Sequence, residues 1–253
     1  MAKRGTSVVA SRPLPPPEPR SRNRLLAALP ADEYQRLRPM LAIIPLTFKQ
    51  TLHKHGEKVS HVYFPGGGVC SMTSAMEDGR MVEVATVGNE GLIGIAAFFG
   101  DELPSGDAMV QVPVAGGEAE VMTVGNFRRE MERRGPLFEL VRRYSIALTT
   151  LIMQSAACNS LHSAEQRCAR WLLMTHDRIN GDDFSLTQEF LAVMLGVRRS
   201  TVTVIAGALH EARLIEYSHK HIRVIDRKGL EAASCECYRV VHAQFRRLLP
   251  YLH

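Results

Sequence analysis

The stretch Leu186–Leu214 reads LTQEFLAVMLGVRRSTVTVIAGALHEARL. Thr187 offers a hydroxyl that can accept a backbone N–H, and Glu189 places an acid in the first turn that follows, so a helix starts here. Ala192 is small where two helices would cross closely. Gly196, four residues on, supplies the positive φ of a tight turn. Val202 and Ile205 then form the inner face of a second helix. A small residue, a glycine and two spaced apolar residues in this order make the packing pattern of a helix-turn-helix. The spacing predicts helices over 188–195 and 199–212.

With Val202 turned inward, the first turn of the second helix presents Arg198, Arg199, Ser200 and Thr203 outward. The start of such a helix enters the DNA major groove, where one arginine can hold guanine O6 and N7 together. Arg199 is the expected base reader, with Ser200 and Thr203 as secondary readers or phosphate contacts. Thr187 and Arg198 are expected to hold the DNA backbone. Beyond this unit, Ile215–Tyr217 and Ile222–Ile225 flank a polar turn and predict a β-hairpin wing, whose Lys220 and His221 would reach phosphate. The plain alternative for Arg198-Arg199 is a solvated basic face; the helix pair and the wing weigh against it. A last helix is expected over about 229–248.

Upstream, residues 163–178 predict an amphipathic helix around Trp171, Leu172 and Met174, ending at the Asn-Gly-Asp-Asp break of residues 180–183. Before it, Gly135-Pro136 opens a longer helix, with proline at an early position where its missing N–H is harmless. Leu137, Val141, Tyr144, Leu148, Leu151, Ser155 and Cys158 follow at alternating steps of four and three. That is a heptad seam, read as a dimer interface; the alternative is a helix packed on its own domain. Between residue 39 and about 125 the pattern is β. The runs His61–Phe64, Val69–Ala75, Met81–Val87, Ala108–Val114 and Glu118–Val124 are separated by glycine-rich turns, with Asp78-Gly79 as the clearest hairpin signal. A short helix is expected over 23–38.

The domains expected are therefore a basic, proline-rich disordered tail (1–22), a β-roll or jelly-roll sensor (23–135), a dimerisation helix (136–160) and a winged helix-turn-helix (161–253). The fold class is α+β. Charge follows this division. Residues 39–127 hold four basic and ten acidic side chains, and residues 136–253 hold fifteen basic and eleven acidic. Only the C-terminal part is suited to a polyanion. Five scattered cysteines fit neither a disulfide framework nor a zinc ribbon, and point to a reducing cytoplasm. Neither a membrane-spanning run nor a signal peptide is expected.

The chain resembles the CRP/FNR family of bacterial regulators over about residues 24–240. The β half carries Gly56-Glu57, Val62-Tyr63-Phe64, Asp78-Gly79-Arg80 and Val87-Gly88-Asn89-Glu90-Gly91, which resemble the family's cyclic-nucleotide-binding-type β-roll. The C-terminal half carries LTQEFLAVMLGVRRSTVT, preceded by Glu165-Gln166-Arg167-Cys168-Ala169-Arg170-Trp171-Leu172-Leu173. The resemblance implies a homodimer on a near-palindromic operator of double-stranded DNA, in contact with RNA polymerase.

The departures concern the sensor. Leu92 stands where nucleotide-binding members carry a ribose-holding glutamate, and Gly106-Asp107-Ala108 replaces their phosphate-holding arginine pattern. No Lys or Arg occurs between Arg80 and Arg128, and a buried phosphate needs a cation or many N–H donors. Neither cAMP nor cGMP is expected; Leu92, Phe98 and Asp107 suggest an apolar, slightly acidic lining. No cofactor is expected. His53, His55 and His61 lack a further ligand at set spacing for a metal or haem. Cys158 and His162, one turn apart, could sense redox or bind a metal, although packing is the plainer reading. Cys235 and Cys237 are expected to point apart on a helix. Val204 stands where better-known members carry an arginine, so the operator differs from theirs. No enzyme is expected, because no phosphate loop, nucleophile elbow or metalloprotease motif occurs. The alternatives are an effector-dependent sensor of the same family (haem, redox or small molecule), or a ligand-binding module without DNA readout.

Overall fold

The computed structural model describes residues 20–114, 116–179, 181–218, 220–249 and 251. The tail expected over residues 1–22 therefore lies, as far as residue 19, outside the described residues. The helix expected over 23–38 is two, α1 (Arg24–Ala27) and α2 (Ala31–Leu37), with Pro30 between them. Proline cannot donate to a continuing helix. The Asn23 side chain caps α1, and its amide donates to the carbonyls of Pro65 and Gly91, each at 2.8 Å, which pins the entry segment to the β domain.

Among the described residues seven antiparallel strands follow: β1 (Ala42–Pro45), β2 (Thr51–His53), β3 (His61–Pro65), β4 (Val69–Ala75), β5 (Met81–Val87), β6 (Asp107–Val112) and β7 (Glu118–Thr123). They form two sheets, ordered β1-β7-β3 and β2-β6-β4-β5. Valine and other apolar residues at alternate positions, among them Val62, Phe64, Val110 and Val112, close the core between the sheets. The β4–β5 hairpin turns at Asp78-Gly79, where Gly79 takes φ +82°. This is the α+β, β-roll architecture expected.

The helical part begins earlier than the glycine–proline signal suggested. Helix α3 (Val124–Glu132) follows β7 directly, capped by Thr123, whose hydroxyl accepts the Asn126 N–H. Its signal was present: Val124, Phe127 and Met131 lie at helical spacing and are buried. Helix α4 (Pro136–Leu161) then runs for 26 residues, packed across β5.

Helix α5 (Ala164–His176) starts at a reciprocal capping box between Ser163 and Gln166. After it come β8 (Asp183–Ser185), α6 (Gln188–Leu195), α7 (Arg199–Glu211), β9 (Ile215–Ser218) and β10 (His221–Val224). The break expected at residues 180–183 runs into β8, which pairs with β10 and makes the wing a three-stranded sheet. The single last helix expected is instead α8 (Arg227–Ala233) and α9 (Cys237–Leu248), separated at residues 234–236. Helix α9 folds back along α4. Among the described residues no single helix is long and apolar enough to cross a membrane.

The heptad seam needs correcting. Leu137, Val141, Tyr144, Leu148, Leu151, Ser155 and Cys158 are all buried within one chain. Tyr144 shows why: its hydroxyl donates to the Leu92 carbonyl at 3.3 Å, and any side chain at Gly91 would collide with its ring. These residues fasten α4 to its own β domain and to α9. The opposite face of α4 stays open, with Ile146 42%, Met153 68% and Leu161 79% exposed.

Candidate nucleic-acid interface and the cavity of the β domain

Helices α6 and α7 meet at 106° across the turn at Gly196, within the range of helix-turn-helix pairs. Gly196 adopts φ +63°, and Thr187 caps α6 by accepting the Phe190 N–H at 3.2 Å. Val202, Ile205, Ala206 and Leu209 are the buried face of α7. The first turn is thereby turned outward: Arg198, Arg199, Ser200, Thr203 and Val204 are exposed together.

The side chains of α6 hold two of these residues. Arg199 pairs with Glu189 (3.1 Å), and both are well exposed, so a phosphate or a guanine can compete for the guanidinium. Thr203 donates to Gln188 at 2.9 Å. Sequence reasoning treated Glu189 only as a helix-start acid; its role as a holder of Arg199 depends on the crossing of the two helices. Lys220 and His221 lie exposed on the wing, where the Lys220 carbonyl accepts the Leu186 N–H at 2.7 Å and ties the wing to the start of the unit. The interface thus gathers Arg198, Arg199, Lys220 and His221 around the outward turn of α7, and Thr187 sits half-buried at its edge.

The β domain supports this unit. Trp171 on α5 donates from Nε1 to Glu83 on β5 (2.9 Å), and Arg178 pairs with Glu90 (2.8 Å). Met194 of α6 meets Ser71, and Gly196 packs on Val82. The recognition surface itself stays clear of these contacts.

A cavity of about 340 Å³ lies against the β2-β6-β4-β5 sheet, between residues 93–96 and Ile152 of α4. Met72, Val84, Ile93, Ile95 and Ile152 give it apolar walls, and Asp107 and His53 give it polar ones. None of the described residues lining it is Lys or Arg. Leu92 and Phe98, expected in this lining, belong elsewhere. Leu92 is fully buried beneath Tyr144, and Phe98 packs on Phe99 and Phe138. His53 Nε2 lies 2.9 Å from the His61 carbonyl, and burial lowers its pKa. His61 Nδ1 contacts the Ser60 hydroxyl, and His55 is exposed. Among the described residues the three histidines join no convergent ligand group.

Residues 166–233 match the family model described as the Crp-like helix-turn-helix domain. No curated protein matches the chain. Among solved structures, a CRP-family transcriptional regulator of Thermus thermophilus is similar at a TM-score of 0.62 and 19% identity, over 76% of this chain and 96% of that one. FixK2 of Bradyrhizobium japonicum is similar at 0.59 and 17%, over 77% and 98%. The c-di-GMP-responsive global regulator CLP of Xanthomonas campestris is similar at 0.60 and 13%, over 77% and 99%. Fold and site together define a winged helix-turn-helix carried on a cyclic-nucleotide-binding-like β-roll. The chain carries the Crp-like helix-turn-helix domain over residues 166–233, and its fold is similar to that of those regulators. The resemblance read from the sequence stands.

Proposed function

We propose that the chain is a sequence-specific transcription regulator that binds a near-palindromic operator as a homodimer in the cytoplasm. The observation that carries this reading is the first turn of α7, where Arg198, Arg199, Ser200 and Thr203 are exposed together beside Lys220 and His221 of the wing. A second copy would cover the open face of α4, along Ile146, Met153 and Leu161. Two recognition helices then enter successive major grooves about one helical turn apart, and contact with RNA polymerase follows from the resemblance.

The cavity supports a small-molecule sensor rather than one for cyclic nucleotides. Its lining holds the Asp107 carboxylate and no described cation, which disfavours a buried phosphate. Ile152 of α4 forms part of the lining, so an occupant would touch the helix proposed to set the half-site spacing.

Selection from a random duplex pool with purified protein tests the reading. A two-fold symmetric motif is expected. An asymmetric half-site would overturn the homodimer, and no enrichment with or without cell metabolites would overturn DNA readout. Arg199→Ala is expected to lose about 1–3 kcal/mol of specific affinity and relax one base position. Met153→Glu is expected to yield monomers in sedimentation; an unchanged dimer would reassign the interface.

A further inference from the structure

The last turn of α4 lies beside the non-helical residues 234–236 that separate α8 from α9. Cys158, on the inward face of α4, is 3.5 Å from Cys235, sulfur to sulfur. His162 follows α4, and its Nδ1 is 3.4 Å from the sulfur of Cys237. These four ligand atoms all lie within 4.8 Å of one another. Cys235 and Cys237 were expected to point apart, as neighbours on one helix do. They converge because residues 234–236 are not helical, so the two sulfurs turn to the same side. The three cysteines are buried in a small cluster separate from the main core.

We propose that Cys158, His162, Cys235 and Cys237 form a closed tetrahedral site for one Zn²⁺ ion per chain. Three sulfurs and one imidazole are a zinc donor set. A tetrahedron with metal–sulfur arms of about 2.3 Å has sulfur–sulfur edges of about 3.8 Å, close to the spacing found. An iron–sulfur cluster is wider than this gap.

The surroundings fit the same assignment. His162 Nε2 lies 3.2 Å from the Glu236 carboxylate. That hydrogen bond leaves the Nδ1 lone pair for a metal, the arrangement of a carboxylate–histidine–metal relay. Gln154 donates to the Cys237 sulfur at 3.1 Å. Arg170 is buried, its Nε and Nη1 have no hydrogen-bond partner among the described residues, and its charge reaches Cys158. Three thiolates around Zn²⁺ leave one net negative charge, which this guanidinium would balance; the three thiol protons pass to solvent on binding. Four protein ligands leave no open position, so the ion clamps the end of α4 to α9 and does no chemistry.

The test uses the full chain, purified under reductant without chelator and titrated with Co²⁺, then Zn²⁺. One Co²⁺ per chain is expected, with the intense visible bands of tetrahedral cobalt and sulfur-to-cobalt charge transfer, displaced by one Zn²⁺. Cys237→Ser is expected to weaken Zn²⁺ on the order of 100-fold, and Glu236→Gln about 10-fold with a tetrahedral spectrum retained. His162→Cys guards against misfolding: it should keep tetrahedral cobalt and strengthen the charge-transfer band. The weak spectrum of octahedral cobalt, or affinity unmoved by Cys235→Ser and Cys237→Ser, would overturn the site. Two thiols that titrate in the denatured, metal-free chain only after reduction would reassign Cys158 and Cys235 as a disulfide pair.

Discussion

Two buried carboxylates of the β domain, Glu83 and Glu90, meet the helical domain on α5 and just past its end, with different kinds of partner. Glu90 accepts from the Gly88 N–H and pairs with Arg178, a contact buried on both sides. Burial alone would lower the Arg178 pKa, but the charges of Glu90 and Asp177 hold it above its ordinary value. Among the described residues, Glu83 accepts hydrogen bonds from neutral donors, the Ser71 hydroxyl and the Trp171 indole. Burial pushes its carboxyl up to about 7, against the pull of those hydrogen bonds and of the Arg170 and Arg178 charges. The two carboxyls are buried alike and differ in partner, a guanidinium for Glu90 and neutral hydrogen-bond donors for Glu83. One junction therefore holds a fixed tie and a conditional one, and both bear on the helix that precedes the DNA-binding unit.

The largest effect is expected on the fixed tie. Arg178→Ala leaves the buried Glu90 carboxyl without its guanidinium partner, and is expected to cost about 3–5 kcal/mol in denaturant unfolding. Replacing both partners, as Glu90→Leu with Arg178→Met, should recover most of that loss. A single-mutant cost below about 1 kcal/mol would mean that water reaches the pair, and the contrast with Glu83 would fall.

The conditional tie should show itself in pH. An acid whose pKa is raised on folding adds stability fully present below its unfolded pKa and lost as pH climbs through the folded one. For Glu83 that window runs from about 4.5 to about 7. The loss is on the order of 3 kcal/mol at most. Glu83→Gln keeps a neutral side chain at every pH, so it should flatten this component and gain on the parent as pH rises from 5 to 8. Parallel stability curves for the two proteins would place Glu83 in an ionised state throughout.

Such a junction is hard to read from sequence, because Glu83 and Trp171 stand 88 residues apart. The helix-turn-helix was legible because its pattern is local: Ala192, Gly196, Val202 and Ile205 lie within one short unit, and α6 begins and ends where the spacing placed it. Periodicity found α4 but not the partner of each face. Leu137 to Cys158 form its stronger apolar stripe, and that is the stripe the chain covers itself. The weaker stripe through Ile146 and Met153 is the one left open. Reading 229–248 as one helix hid the break at residues 234–236, and with it the convergence of Cys235 and Cys237. His53 was legible as a residue of interest but not as a cavity wall, since β2 reaches that position only through its pairing with β6.

The smallest effect sharpens the comparison most, because it acts on Glu83 through a neutral group. Trp171→Phe removes the indole donor while keeping an aromatic ring in the junction. Loss of that hydrogen bond is expected to cost about 1–2 kcal/mol where Glu83 is ionised. Part of any measured loss would be packing, since Trp171 is buried, and size alone cannot separate the two. The pH midpoint can. The indole stabilises the ionised carboxylate, so without it the Glu83 pKa should rise further and the window of lost stability should move to higher pH. A packing defect lowers stability equally at all pH values and leaves the midpoint in place. A midpoint that stayed put or moved down would assign Trp171 to packing alone, and would leave burial and Ser71 to set the behaviour of Glu83.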